Sequence, residues 1–252
     1  MNELPFFDVD VRVCGGPGLG PFPDVPELLS EMDYYGVEKA LVQHGNIAGG
    51  GAVLTNDELA EALQDDTEHR LLGVWCLLPS QCDEIPAPDE LFRQMKEKRI
   101  AALTLYPGDH RFEPCRMTLG KVMDAAAERR IPVLLKGFSE KWPEIYRFVE
   151  TFPDNIMIHC DNWGKWGHDR QVRPLLENFP NFYYALSGYW VMGGIRDLVE
   201  RYGSRRILYG SGFPFYSQGS GMLQLRYSGM DSETVADIAG RNLERLMKEV
   251  QL

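Results

Sequence analysis

Eight short apolar runs, each followed by an amphipathic stretch, recur along this chain at an interval that leaves few folds open. They end near Val13, His44, Leu77, Leu105, Lys136, His159, Leu186 and Tyr209, roughly 23 to 33 residues apart. A strand and a helix repeated at that interval build a parallel sheet with helical cover, and eight such units close into a (β/α)8 TIM barrel. The length of 252 residues is that of one such barrel. The sequence therefore predicts an α/β protein, one domain over residues 1–252.

Helical periodicity supports this reading. Leu119, Val122, Met123 and Ala126 fall on one helical face, as do Ile195, Leu198, Val199 and Tyr202. Val235, Ile238, Ala239, Asn242 and Leu246 predict an extra C-terminal helix after the eighth unit. Pro26 opens the first helix and Gly36 closes it, and Thr55-Asn56-Asp57-Glu58 reads as a capping box for the second. The glycine-rich seam from Asn46 to Gly51 predicts a flexible loop or a flap over the barrel mouth.

A formal net charge of −11 argues against nucleic acid or an anionic membrane as partner, while leaving room for a local cationic pocket. The five cysteines form no Cys-x-x-Cys pair, so neither a disulfide framework nor a zinc knuckle is expected. Met1 to Pro5 has no basic or apolar leader pattern, and no run is long enough to span a membrane. A cytoplasmic protein is expected, with a small anionic molecule as partner and a second copy of the chain as an open one.

Four strand ends carry the chemistry. Phe7-Asp8-Val9-Asp10-Val11-Arg12 ends the first, Pro132-Val133-Leu134-Leu135-Lys136 the fifth, Ile156-Met157-Ile158-His159 the sixth, and Ile207-Leu208-Tyr209-Gly210-Ser211-Gly212-Phe213-Pro214 the eighth. In this order they resemble the metal-dependent amidohydrolase superfamily, in the branch whose last strand reads Gly-Ser-Asp-[Phe/Tyr]-Pro. Leu103-Thr104-Leu105-Tyr106-Pro107, Phe152-Pro153-Asp154-Asn155-Ile156 and Asn242-Leu243-Glu244-Arg245-Leu246 extend the resemblance over nearly the whole chain.

The resemblance implies a TIM barrel and a hydrolytic ancestry, and it also marks departures. Its last-strand aspartate, a metal ligand and proton acceptor, is replaced by Gly212. Its Asp-x-His-x-His motif carries Asp10 and Arg12 at the histidines, and a guanidinium has no lone pair for a metal. Lys136 stands where the fifth strand usually has histidine, and His159 is the one usual ligand left unchanged. No metal and no cofactor are expected.

In a TIM barrel the site lies at the C-terminal ends of the strands. There Asp10, Arg12 and Lys136 sum to one net positive charge, as a divalent ion and one aspartate would. They are read as a pocket floor with Lys136 in the metal's place, Asp10 bridging it to Arg12, and Arg12 gripping a ligand carboxylate. His159 with Asp161 is the candidate water-activating pair, and Lys136 the third catalytic candidate. His44, Tyr106, Trp163, Trp190 and Phe213 are candidate substrate-binding residues, with Tyr189, His110, Phe138, Trp166 and His168 around them. Cys160, alternating with His159, is expected to face the helices. Asp8 and Ser211 are read as structural, at the strand's outer face and turn.

Three functions follow. One is metal-independent hydrolysis or lactone opening of a small carboxylate-bearing molecule. The second is a non-catalytic binding protein that keeps the anion pocket. The third is carbon–carbon lyase chemistry through Lys136.

Overall fold

The computed structural model describes residues 4–15, 22–138, 141–160 and 169–252. Eight parallel strands form one sheet in sequential order. They are β1 (Phe6–Val13), β2 (Val37–His44), β3 (Leu71–Cys76), β4 (Ile100–Leu105), β5 (Val133–Leu135), β6 (Met157–His159), β7 (Phe182–Ala185) and β8 (Ile207–Leu208). The ends of the sheet meet: Val9 N–H donates to Tyr209 O at 3.2 Å, Arg12 N–H to Phe213 O at 2.9 Å and Gly212 N–H to Asp10 O at 3.0 Å. The predicted (β/α)8 barrel is what the chain forms, and each predicted strand end lies within one residue of the observed one.

Helices α1 (Val25–Tyr35), α2 (Ala52–Ala62), α3 (Pro88–Glu97), α4 (Arg116–Glu128), α5 (Trp142–Thr151), α6 (Arg173–Asn178), α7 (Gly194–Tyr202) and α8 (Gln218–Arg226) follow the strands. The extra C-terminal helix runs through α9 (Ser232–Ala236), a π turn (Asp237–Arg241) and α10 (Asn242–Glu249). Among the described residues no helix is long and apolar enough to cross a membrane.

The start of α1 is as read from sequence: Asp24 caps it in a reciprocal box with Glu27, Pro26 sits in its first turn and Gly36 ends it at φ 76°. For α2 the expectation is corrected. The helix begins three residues before Thr55, after Gly51, and the Thr55 hydroxyl bonds back to Gly51 O at 2.9 Å instead of capping. Gly51 at φ 81° lets the chain turn directly into the helix, so the polar tetrad falls in its second turn.

Strand alternation sorts the core into two layers. Phe7, Val9, Val74, Ala102, Leu134, Ile158, Ala185 and Leu208 fill the barrel, with Leu243 and Leu246 of α10 in the same cluster. Val11, Val13, Leu103, Leu105, Val133, Leu135 and Met157 face the helices and pack with residues such as Leu28, Met95, Met123 and Phe148. β1 departs from strict alternation. Asp8 pairs with Ala40 and Val11 with Val42, so three steps on β1 oppose two on β2. This bulge turns Asp10 inward after the inward Val9, and Arg12 follows on the same side. Without the extra residue Asp10 would point outward like Asp8.

Candidate active site

The floor of the mouth is a buried polar chain running across four strands. Both Asp10 oxygens lie close to the Lys136 ammonium, at 2.8 and 2.9 Å. Gln43 Nε2 donates to Asp10 Oδ1 at 3.3 Å, and Tyr106 OH donates to Gln43 Oε1 at 3.0 Å. Beyond Tyr106, His110 Nε2 lies 2.9 Å from Ile47 O and its Nδ1 lies 3.7 Å from Cys76 Sγ. Burial alone would lower the Lys136 pKa, but Asp10 and then Cys160 raise it above the ordinary lysine value. Burial pushes Tyr106 up to about 12, against the pull of Arg12 and Lys136. Lysine and tyrosine are thus both protonated at neutral pH.

Arg12 stands beside this chain rather than in it. Its guanidinium lies 5.0 Å from the centre of the Phe215 ring, and among the described residues it has no carboxylate partner. The cavity at the mouth is bounded by Asp10, Arg12, Lys136, Cys160, Ser187, Gly188, Gly212, Phe215 and Tyr216. Its volume is about 20 Å³, room for one water.

The structure therefore brings together Asp10, Arg12, Lys136 and, through Gln43, Tyr106. Other expected residues lie elsewhere. His44 alternates with the inward Gln43 and points at α2, its Nε2 3.1 Å from Glu58 Oε2 while its Nδ1 accepts from Asn46 N–H at 3.1 Å. Burial lowers its pKa against the pull of Glu58. Phe213 packs on the outer layer, and Trp190 meets the Tyr216 ring edge at 6.4 Å beside a surface groove with Met192. Tyr189 is buried, its hydroxyl 2.7 Å from Asp169 Oδ2. Asp161, Trp163, Trp166 and His168 lie outside the described residues.

The expected facing of the sixth strand is reversed. His159 packs against Trp142 of α5, ring centres 5.1 Å apart, and stacks on Tyr184 at 6.0 Å. Cys160, with Ile158, belongs to the barrel interior and reaches the mouth. The reason is parity: in-facing Ile156 and Ile158 put Cys160 next on the inner side, but β6 is apolar on both faces, which hides the phase. Sequence reading missed the loop residues Gly188, Phe215 and Tyr216 at the mouth, and also the strand-end residues Gln43, Cys160 and Ser187. Each of the last three is two residues beyond an in-facing position, namely Leu41, Ile158 and Ala185, and that offset was the available signal.

Asp8 and Ser211 do have structural positions. Asp8 is fully buried and accepts from Ser211 N–H at 2.9 Å, Asp10 N–H at 3.1 Å and Gln218 Nε2 at 3.3 Å, which ties β1 to the turn after β8 and to α8.

These donors do not suit a divalent cation. Asp10 is engaged by Lys136, whose ammonium would repel an ion at that point, and His159 is turned outward. Gly212 holds φ at 73°, and a Cβ there would lie 3.1 Å from the Tyr216 ring. Among the described residues no three His, Cys, Asp or Glu side chains converge.

Comparison with solved structures finds the same barrel at low identity. A 5-carboxyvanillate decarboxylase from Sphingomonas paucimobilis is 14% identical with a TM-score of 0.71, covering 98% of this chain and 99% of its own. A dihydroxybenzoic acid decarboxylase from Polaromonas sp. JS666, with bound manganese and the inhibitor 2-nitroresorcinol, is 17% identical with a TM-score of 0.68, over 98% and 97%. A protein assigned as a 2-pyrone-4,6-dicarboxylic acid hydrolase from Pseudomonas putida is 16% identical with a TM-score of 0.73, over 98% of each. These likenesses carry the fold alone. No curated protein matches the chain. The sequence model of the Amidohydrolase family matches residues 18–247, and the chain belongs to that family.

Proposed function

We propose that the barrel mouth binds a small carboxylate-bearing molecule through Arg12 without a metal ion, and that the protein acts on it by hydrolysis or lactone opening. The observation that carries this reading is the uneven pairing of the floor. Lys136 is neutralised by Asp10, whereas Arg12, lining the same cavity, has no carboxylate partner among the described residues. A guanidinium presents two parallel N–H donors to a carboxylate, and the face of Phe215 holds it in place. The solved relatives named as acting on aromatic carboxylates support the ligand class by analogy.

A non-catalytic binding protein is the second reading. It is favoured by the engagement of Asp10, which leaves no carboxylate free at the described floor to activate water. Two other chemistries fare worse. Gly212 supplies no aspartate for decarboxylation, and the raised pKa of Lys136 keeps the ammonium protonated, against Schiff-base chemistry.

Thermal-shift screening of aromatic and aliphatic acids tests the proposal. At about 100 times Kd, binding should add about 2.7 kcal/mol to stability. The matching amides should give no rise in Tm, and Arg12→Ala should lose the effect. If no acid stabilises the protein, and wild type and Arg12→Ala behave alike, the anion site does not exist.

A further inference from the structure

We propose that Ser187 is a specificity-determining residue that recognises one oxygen on the carbon next to the ligand's carboxylate. The mouth then selects hydroxy or oxo acids over plain carboxylic acids; the placement of the carboxylate itself rests on the anion-site reading of Arg12. Two observations carry this. Ser187, 3% exposed, lines the same cavity as Arg12, Lys136 and Gly212, and its Oγ has no hydrogen-bond partner among the described residues. A buried hydroxyl left unmatched is destabilising, and an oxygen brought by a ligand would satisfy it. Glycines of the eighth strand end, in turn, make the space around it. A Cβ at Gly210 would clash with Ser187 Oγ. One at Gly212 would lie 3.6 Å from Ser187 Cβ and 3.1 Å from the Tyr216 ring, so a side chain there would set out between the two.

The size of the cavity sets the ligand class. Its volume of about 20 Å³ admits one oxygen-sized group beside Ser187. Arg12 is only partly buried, and Phe215, whose ring it faces, is 48% exposed, so the guanidinium lies toward the open side of the cavity and Ser187 at its depth. A ligand whose carboxylate is gripped by Arg12 can extend one oxygen to Ser187 by the shortest link, through the adjacent carbon. An oxygen farther along the molecule would bring carbon atoms into a space that holds a single oxygen. A serine hydroxyl both donates and accepts, so it can pair with an oxo oxygen or with a hydroxyl. Its role is discrimination, because an acid lacking that oxygen would bind and leave the buried hydroxyl unpaired.

Calorimetric titration with phenylpropanoate, phenyllactate and phenylpyruvate tests the proposal. These acids share a skeleton and carry hydrogen, a hydroxyl or an oxo oxygen next to the carboxylate. At least one of the two oxygenated acids should bind wild-type protein about fivefold tighter than phenylpropanoate, or more. Ser187→Ala should bring the three affinities within about twofold of one another while binding phenylpropanoate as wild type does. Without ligand, Ser187→Ala should melt at or above the wild-type Tm, because it removes an unmatched hydroxyl. Equal binding of the three acids by wild type, or a preference that survives in Ser187→Ala, overturns the inference and leaves the anion site standing. A marked fall in the ligand-free Tm overturns it too, by showing that the hydroxyl is held within the fold. If none of the three acids binds, the anion site falls and the inference with it.

Discussion

Lys136→Met is expected to destabilise the folded protein by about 3–5 kcal/mol, because it strands a carboxylate in the barrel. Lys136 and Asp10 are 6% and 2% exposed, and the ammonium meets both carboxylate oxygens. Among the described residues Gln43 is the other side-chain donor to Asp10 and is neutral, so it cannot compensate the charge. For a chain of this size the loss corresponds to a fall in Tm of roughly 10 °C. The double variant Asp10→Asn/Lys136→Met should recover most of it, because removing both charges leaves nothing uncompensated. Chemical denaturation of the four proteins of this cycle measures the coupling. A single variant within about 1 kcal/mol of wild type would mean that the pair is well solvated and contributes as little as a surface ion pair.

A second large effect is expected at Asp8, and it depends on pH. Burial raises its pKa from 3.8 to about 7, against the lowering effect of the hydrogen bonds from Ser211. The folded-state value lies above the unfolded one, so the native protein holds an extra proton between about pH 4 and 7. Stability from this group therefore falls as pH rises through that window. The loss is complete above it and reaches up to about 4 kcal/mol. Asp8→Asn should keep acceptance from Ser211 and Asp10 N–H while removing the titration. Its amide can also donate to Gln218 Oε1, which has no partner among the described residues. The variant is expected to lose less stability than wild type between pH 5 and 8, read from denaturant midpoints. Parallel pH profiles for the two proteins would show that Asp8 stays ionised across the window.

The barrel was legible because its information is redundant. Eight apolar runs at a regular interval, each backed by helical periodicity, leave one closed arrangement, and a one-residue error in any run does not change it. The site was legible only where chemistry, rather than phase, identified a residue. Asp10, Arg12 and Lys136 stood out as charges in apolar strands, and they line one cavity, with Asp10 paired to Lys136 rather than bridging it to Arg12. Phase itself was not readable in strands buried on both faces. His44 drew attention as a titratable residue, while its unremarkable neighbour Gln43 faces the mouth. His159 drew it by resemblance, while Cys160 holds the inner position. The bulge in β1 is a further case, since no residue type announces the extra step that turns Asp10 inward.

We propose that the Lys136–Asp10 pair stands in place of a metal ion at this barrel mouth. Elemental analysis of extensively dialysed protein, repeated after incubation with manganese or zinc and a second dialysis, addresses this directly. Well under a tenth of an equivalent of manganese, zinc or iron per chain is expected in wild type, and Lys136→His alone should not raise it, because Arg12 and Gly212 remain. About one equivalent per chain, lost on replacing Asp10 or His159, would contradict the metal-free site and return the protein to metal-assisted hydrolysis.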